Sequence, residues 1–315
     1  MGVAAATTLG FASPARAAGA NERLRVALIG CGGRGRDVAS IFSVRDDVEL
    51  LHIADPHQGR LAAAKRQFGD GVNPTQDFRH ILDDRSIDAV IVATPVHWHA
   101  PATILACDAG KHVYVEKPCS HNIREGRLMV DAARRNNRVV QHGTQVRSTQ
   151  MMIEATEMLR DGIIGKVLVA KAWNIQYRPG NGIGDSTAPP AELDFNMWLG
   201  PVPHFDYNSN VFGGWNWLRH FGTGEIGNDG VHDIEYARWG LGVKTHPTSI
   251  SGLGARYAFD NGAEFPDTQQ VLFEYDSDGA VGEKRMLIYE ERLWSTDYPH
   301  NCDSGVEYYG TQGQM

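Results

Sequence analysis

Arg25-Val-Ala-Leu-Ile-Gly30-Cys-Gly32-Gly-Arg-Gly35-Arg-Asp-Val-Ala-Ser40 is the stretch whose reading decides the fold. An apolar run that ends in G-x-G-x-x-G and passes into a helix-compatible segment has the form of a dinucleotide-binding turn. Gly30 permits a tight turn out of the strand, Gly32 lets the backbone approach a pyrophosphate, and Gly35 lets helix and strand pack closely. The N–H groups at the helix start lack intrahelical partners and point at the anion. Gly30, Gly32, Gly33, Arg34 and Gly35 are therefore the first candidate cofactor contacts.

Context strengthens the motif. A second apolar run, Val48 to Ala54, leads into Asp55, about 20 residues beyond the glycines, where an acidic side chain can take the adenosine ribose hydroxyls. That carboxylate favours NAD, because it repels the 2′-phosphate of NADP. Arginines at 34, 36 and 60 leave NADP open. The competing reading is a plain glycine turn, with Asp55 as the cap of the helix beginning near Pro56; it leaves the strand-motif-helix order unexplained.

Working outward, Gln58 to Phe68 and Thr75 to Leu82 read as helices, and Ile87 to Ala93 as a central strand, apolar on both faces from Ala89. Ligands of open parallel sheets sit beyond the carboxyl ends of strands, so Thr94, Pro95, His97 and His99 are expected to border the cofactor. A helix from Ala100 to Ala109 stops at Gly110, His112 to Val115 is a strand running into Glu116-Lys117-Pro118, and a helix from Ile123 to Asn137 leads to the run Val139 to Gln145. This alternation predicts an α/β architecture, a doubly wound Rossmann sheet over residues 23–145.

From residue 146 the rhythm changes. A helix is expected over Met151 to Asp161 and a strand over Lys166 to Tyr177, followed by a Gly/Pro-rich loop, Arg178 to Pro190. The β-like runs Thr248 to Tyr257, Thr268 to Tyr275 and Ala280 to Glu290 come without helices between them, which predicts an α+β domain over 146–315 with a largely antiparallel open sheet. A net charge of -8 gives no general attraction for nucleic acid or an anionic membrane, and no run is long and apolar enough to span a bilayer. The four cysteines lack metal-ligand spacing, so no metal is expected. Residues 1–22 are Ala-rich, with Ala15-Arg16-Ala17 in a small-x-small pattern but no basic residue before Arg16. They read as a signal remnant, implying an exported or periplasmic protein, or as a disordered tail on a cytoplasmic one.

Lys117 has a chemical reading of its own. The following proline restricts it to extended backbone, and an ammonium at the rim of the cofactor crevice can stabilise alkoxide character on a substrate oxygen as hydride leaves. By itself a Glu-Lys turn is more simply a solvated one. The glycine motif, the strand ending in Asp55, Ala93-Thr-Pro-Val-His-Trp-His99 and Glu116-Lys117-Pro118 occur together in this order, however, and together they resemble the glucose-fructose oxidoreductase, inositol dehydrogenase and rhizopine-catabolism (Gfo/Idh/MocA) family. That resemblance covers nearly the whole chain from Leu24. It implies an NAD(P)-dependent oxidoreductase acting on sugars or cyclitols, with Glu116 and Lys117 at the cofactor. It also implies a second domain whose sheet carries the substrate site and often the subunit interface, hence a homo-oligomer.

Members of this family usually carry an Asp and a His four apart in the second domain. Here the matching stretch is Gly222-Thr-Gly-Glu-Ile-Gly-Asn228-Asp229-Gly-Val-His232, with Asn228 where the aspartate is expected. His232 is the expected proton acceptor, with Asn228 on the same helical face positioned to orient its imidazole and Asp229 more simply a helix cap. The chain also resembles a frequently exported branch with Gly-Thr-Gln-x-Arg at 143–147, so Arg147 joins Asn228, Asp229, Trp217 and His220 as candidate substrate contacts. Aromatic and basic groups beside glycines suit a carbohydrate, although Trp215 and Trp217 also suit core filling. Three activities fit: a dehydrogenase, an NAD-using glycosidase or lyase working through transient oxidation, and a non-enzymatic binding module. The stretch Gly305 to Gly313 resembles a family strand after which members continue, so the chain is expected to be a fragment.

Overall fold

A computed structural model describes residues 23–276 and 282–315. The chain runs β1 (Leu24–Ile29), α1 (Gly33–Ser43), β2 (Val48–Ala54), α2 (Gln58–Phe68), β3 (Asn73–Thr75), α3 (Arg79–Asp83), β4 (Ala89–Val92), α4 (His99–Asp108), β5 (His112–Val115), α5 (Ile123–Arg135) and β6 (Val140–His142). These six strands form one sheet in the order β3-β2-β1-β4-β5-β6, every pairing parallel. The order reverses between β1 and β4, which places the ligand crevice of a doubly wound sheet just beyond their carboxyl ends.

The sheet is buried on both faces. One cluster contains Ala27, Ile29, Val90 and Val92 under α4 and α5; the other contains Leu28, Ile53 and Ile91 under α1 and α2. Such strands read as continuous apolar runs because neither face meets water. The helix expected over 75–82 forms only as the short α3, Arg79–Asp83, and β3 ends on Thr75. Its Pro74 stands opposite Ile53 at the sheet edge, where a missing N–H costs no ladder hydrogen bond.

The second half continues with α6 (Gln150–Arg160), β7 (Val167–Ile175), α7 (Phe195–Leu199), α8 (Ser209–Gly214), α9 (Gly224–Asn228), α10 (Gly230–Leu241), β8 (Ser249–Ala255), β9 (Thr268–Tyr275), β10 (Arg285–Arg292) and β11 (Ser304–Gly310). Its five strands are ordered β11-β7-β10-β9-β8; all pairings are antiparallel except β7 with β10. β10 runs two residues past the expected Glu290 end, while the expected start near Ala280 lies outside the described residues. α10 covers one face, with Ala237 and Leu241 packed among Ala170, Ala172, Leu287 and Tyr289. The close seat depends on Gly230, where a Cβ would lie 2.4 Å from the Tyr289 hydroxyl. The expected tail over residues 1–22 also lies outside the described residues. No helix among the described residues is long and apolar enough to cross a membrane.

Candidate active site

The glycine turn is built as its residue types require. Gly30 has φ +98, and a Cβ there would press 2.6 Å from the Ala93 carbonyl carbon; a Cβ on Gly35 would lie 1.9 Å from Gly30 O. Gly32 and Gly33 face open space within 4 Å, so the backbone at the start of α1 is free to receive a ligand. Gly32 stands as N-cap without a side-chain cap, which leaves first-turn N–H groups for an anion. Nearby, Thr94 and Pro95 line a crevice with Asp55, and Thr94 Oγ1 is buried without a partner. An open backbone cradle, a carboxylate and an orphaned hydroxyl around one crevice fit a dinucleotide.

Asp55 has a structural duty as well. Only 3 % exposed, it accepts from Cys31 N at 2.8 Å and His57 N at 2.9 Å, joining the glycine turn to the start of α2. Burial raises its pKa, opposed by the Arg60 charge and these N–H donors. Cys31 is buried against Ala54 O and its thiol is pushed up by burial, which makes it packing rather than a nucleophile.

His97 and His99 are committed to the framework around the crevice. His97 Nε2 donates to Trp198 O at 2.8 Å, and its ring lies against Trp198 and Phe221. His99 sits between Pro118 O and Thr94 O, at 2.6 and 2.8 Å, pinning the Glu116-Lys117-Pro118 turn. Trp98 Nε1 donates to Met197 O at 3.0 Å, and Gln58 N donates to Glu192 O at 3.0 Å. Residues 192–198 thereby strap the second half across the adenosine side of the crevice. Glu116, 3 % exposed, receives Arg34 through Nε at 2.8 Å and a second nitrogen at 2.7 Å.

Lys117 crosses to the other half of the molecule. Its Nζ donates to Asn228 O and to Asn228 Oδ1, both at 2.8 Å, and lies 3.7 Å from Asp229 Oδ1. The carbonyl it takes belongs to the last residue of α9, where helix geometry leaves carbonyls without partners. Asn228 Nδ2 reaches Glu225 at 3.2 and 3.3 Å. Glu225, fully buried, pairs with Arg178, whose other nitrogen holds Asp229 at 2.7 Å. Burial pushes Glu225 up to about 7, with Arg178 pulling it down and Asp229 reinforcing the rise.

Here the expected partnership differs from the one formed. Asn228 ends α9 and His232 lies in the first turn of α10, joined through Asp229, whose φ -93 and ψ -36 stay in the right-handed helical region; what differs is the partner each side chain takes. Asn228 serves Lys117, and His232 Nδ1 is buried without a partner. Burial lowers His232 to about 4, and the Lys117 charge adds to the effect. Asp229 occupies the N-cap position of α10, but its side chain makes no cap and turns to Lys117 and Arg178. Two residues past Arg178, Gly180 lies against the Trp217 ring. His220 is exposed beside Phe205 and Phe221. Arg147 is held by Glu235 and stacks over Trp239 at 4.9 Å, lower on α10. Glu225 and Arg178 escaped the sequence reading: the three-residue spacing from Glu225 to Asn228 was a visible signal, but nothing local to Arg178 marked it.

Behind this ring Asp233, 3 % exposed, is pushed up to about 8 by burial and by the Asp229 charge. A carboxyl whose folded pKa is raised favours the folded state while both states are protonated, and that contribution is lost as pH rises toward the folded value. Asp233→Asn is therefore expected to match the parent near pH 4 and to be more stable by about 1–3 kcal/mol at pH 8. Urea unfolding at both pH values checks this; a gain confined to the acidic side would refute the assignment. Among the described residues no group of three or more His, Cys, Asp or Glu side chains is arranged to hold a metal.

Comparison with known proteins agrees with the Rossmann fold. Residues 24–144 match the family described as "Oxidoreductase family, NAD-binding Rossmann fold" (GFO_IDH_MocA). Over 297 residues the chain is 26% identical to scyllo-inositol 2-dehydrogenase (NAD(+)) of Bacillus subtilis strain 168, covering 93% of this chain and 73% of that protein. It is 31% identical over 159 residues to Glycosyl hydrolase family 109 protein 1 of Shewanella sp. strain MR-4, covering 48% of this chain and 35% of that protein. Among solved structures, levoglucosan dehydrogenase in complex with NADH and levoglucosan superposes with a TM-score of 0.68 at 24% identity, covering 93% of this chain and 72% of the other. That likeness extends to the fold of both halves.

Proposed function

Because residues 24–144 match the Gfo/Idh/MocA oxidoreductase family through an NAD-binding Rossmann fold, we propose that this chain is a member of that family and a dehydrogenase of a secondary alcohol on a sugar or cyclitol. The observation that carries the reading is the Lys117 ammonium, held by Asn228 beside Asp229 where the carboxyl end of β5 meets α9 and α10. Relatives named for inositol and levoglucosan oxidation support the substrate class.

Bound NAD supplies the hydride acceptor. Gly32, Gly33 and the start of α1 would hold its pyrophosphate, Asp55 its ribose, and Thr94 and Pro95 the crevice wall. Lys117 donates an N–H to the substrate oxygen and stabilises the negative charge that develops there. His232 is neutral at physiological pH and offers a lone pair to the hydroxyl proton; at about 4 it holds that proton weakly and passes it to solvent. Trp217 offers an apolar face for sugar C–H groups.

Asp55 favours NAD over NADP. Arg34 is taken by Glu116, while Arg60, over the Phe212 ring at 4.4 Å, lines the crevice beside Asp55 and is the cation that works against this preference. Titration with both cofactors is expected to show NAD binding at least about 10-fold more tightly; tighter NADP binding would overturn the reading of Asp55. Activity is tested with a panel of sugars, cyclitols and glycosides. Net NADH formation supports the dehydrogenase. Glycoside cleavage without net NADH supports transient oxidation followed by elimination, a second reading favoured by the similarity to a glycosyl hydrolase family 109 protein. Cofactor binding without turnover leaves a binding module. Export and self-association remain parts of the same proposal, the second supported by Ile250 and Leu253 of β8, 61% and 77% exposed at the edge of the second sheet.

A further inference from the structure

We infer that Glu225 is a positioning residue for Lys117, acting through the side-chain amide of Asn228; the inference rests on the role proposed above for Lys117. A carboxamide can serve two masters because it carries an acceptor and a donor on one rigid plane. Asn228 Oδ1 accepts from the Lys117 ammonium at 2.8 Å while its Nδ2 donates to Glu225 at 3.2 and 3.3 Å. A carboxylate at position 228 could only accept, and it would stand against the fully buried Glu225 without a proton between them. Glutamate at 225 and asparagine at 228 are thus a matched pair: the negative charge sits one helical turn back and is transmitted by the amide.

The consequence for Lys117 is geometric and electrostatic. An ammonium has three N–H bonds. Asn228 takes two of them, through its backbone carbonyl and its side chain, and leaves one for a substrate oxygen or for Asp229. The carboxylate behind the amide polarises it, strengthening Oδ1 as an acceptor for the lysine N–H. Arg178 closes the ring by holding Glu225 with one nitrogen and Asp229 with the other. Glu225 is thereby held off the ammonium, and Asp229, tied to Arg178, stands 3.7 Å from it, outside hydrogen-bond distance, which leaves the third N–H for a substrate oxygen.

Two readouts test this, one of them independent of turnover. In the full chain at pH 8, Glu225→Gln keeps a hydrogen-bond acceptor for Asn228 and removes the charge. Acetylation of Lys117 by N-hydroxysuccinimidyl acetate, followed by peptide mass spectrometry, is expected to be at least threefold faster in the variant, because the Asn228 amide then holds the lysine nitrogen less firmly. With an active substrate, kcat is expected to fall about 10- to 100-fold while KM and NAD affinity change less than threefold. Adding Asn228→Asp to Glu225→Gln returns the charge and should slow the acetylation again. Asn228→Ala, which leaves the Glu225–Arg178 pair in place, guards against a folding defect and should also accelerate labelling. Unchanged labelling in both single variants overturns the inference. Faster labelling in a protein that turns over no alcohol upholds the coupling and removes the dehydrogenase reading instead.

Discussion

Lys117→Ala is expected to lower kcat by about 10²–10³-fold, the usual cost of removing a donor aimed at developing oxyanion charge, while NAD affinity stays within about threefold of the parent. The ammonium touches Asn228 and Asp229, not the glycine turn. Its loss therefore removes an interaction made with the reacting oxygen and leaves the cradle for the cofactor intact. Steady-state kinetics and cofactor titration separate the two effects. Full turnover in the variant would remove Lys117 from the chemistry and return the Glu116-Lys117-Pro118 turn to a structural role. A parallel loss of cofactor binding would instead make it a cofactor residue.

The second large effect concerns two glycines three residues apart. Gly35→Ala is expected to destabilise the domain by about 3 kcal/mol or more and to abolish measurable NAD binding. Its methyl would stand 1.9 Å from Gly30 O, and both sides of that contact are backbone, so the glycine turn itself must move. Gly32→Ala should do the opposite to stability. Its φ of -63 suits any residue, and nothing lies within 4 Å of the added carbon, so the thermal midpoint should shift by no more than about 2 °C. The same methyl occupies space that the pyrophosphate needs, so NAD affinity should fall at least about 10-fold. Thermal melts with calorimetric titration check the pair. Parent-like NAD binding in Gly32→Ala would mean that the cofactor does not lie against this turn.

The Rossmann half was legible because its signals are local. Each central strand is an apolar run, each crossover is long enough for a helix, and a glycine turn is demanded by backbone geometry at a known place. Asp55 was visible for the same reason, as an acid at the end of the second strand. Its two hydrogen bonds to Cys31 and His57 were not, since they depend on how two segments meet. The same limit explains His97 and His99. The sequence puts them beside a strand end, but the short turn at Val96–Trp98 directs His97 to Trp198 and His99 to Pro118. Edge strand β3 was hidden because three residues containing Pro74 carry no period.

In the second half, asparagine and histidine four apart read as a hydrogen-bonded pair, but the Asn228 amide is taken by Lys117 and Glu225 instead. Asn228 meets Lys117 from 111 positions away in the chain, and Asp229 turns its carboxylate to the same ammonium. What the sequence by itself determined is the dinucleotide fold and the lysine at its rim, because backbone demands and apolar periods are properties of a few neighbouring residues. Only the tertiary structure decided which groups surround that lysine. Glu225, Arg178 and Asp229 come from the first turn of α9, the loop after β7 and the N-cap of α10, and their charges are assigned to one another by burial and by distance across the joint between two sheets, which no local pattern records.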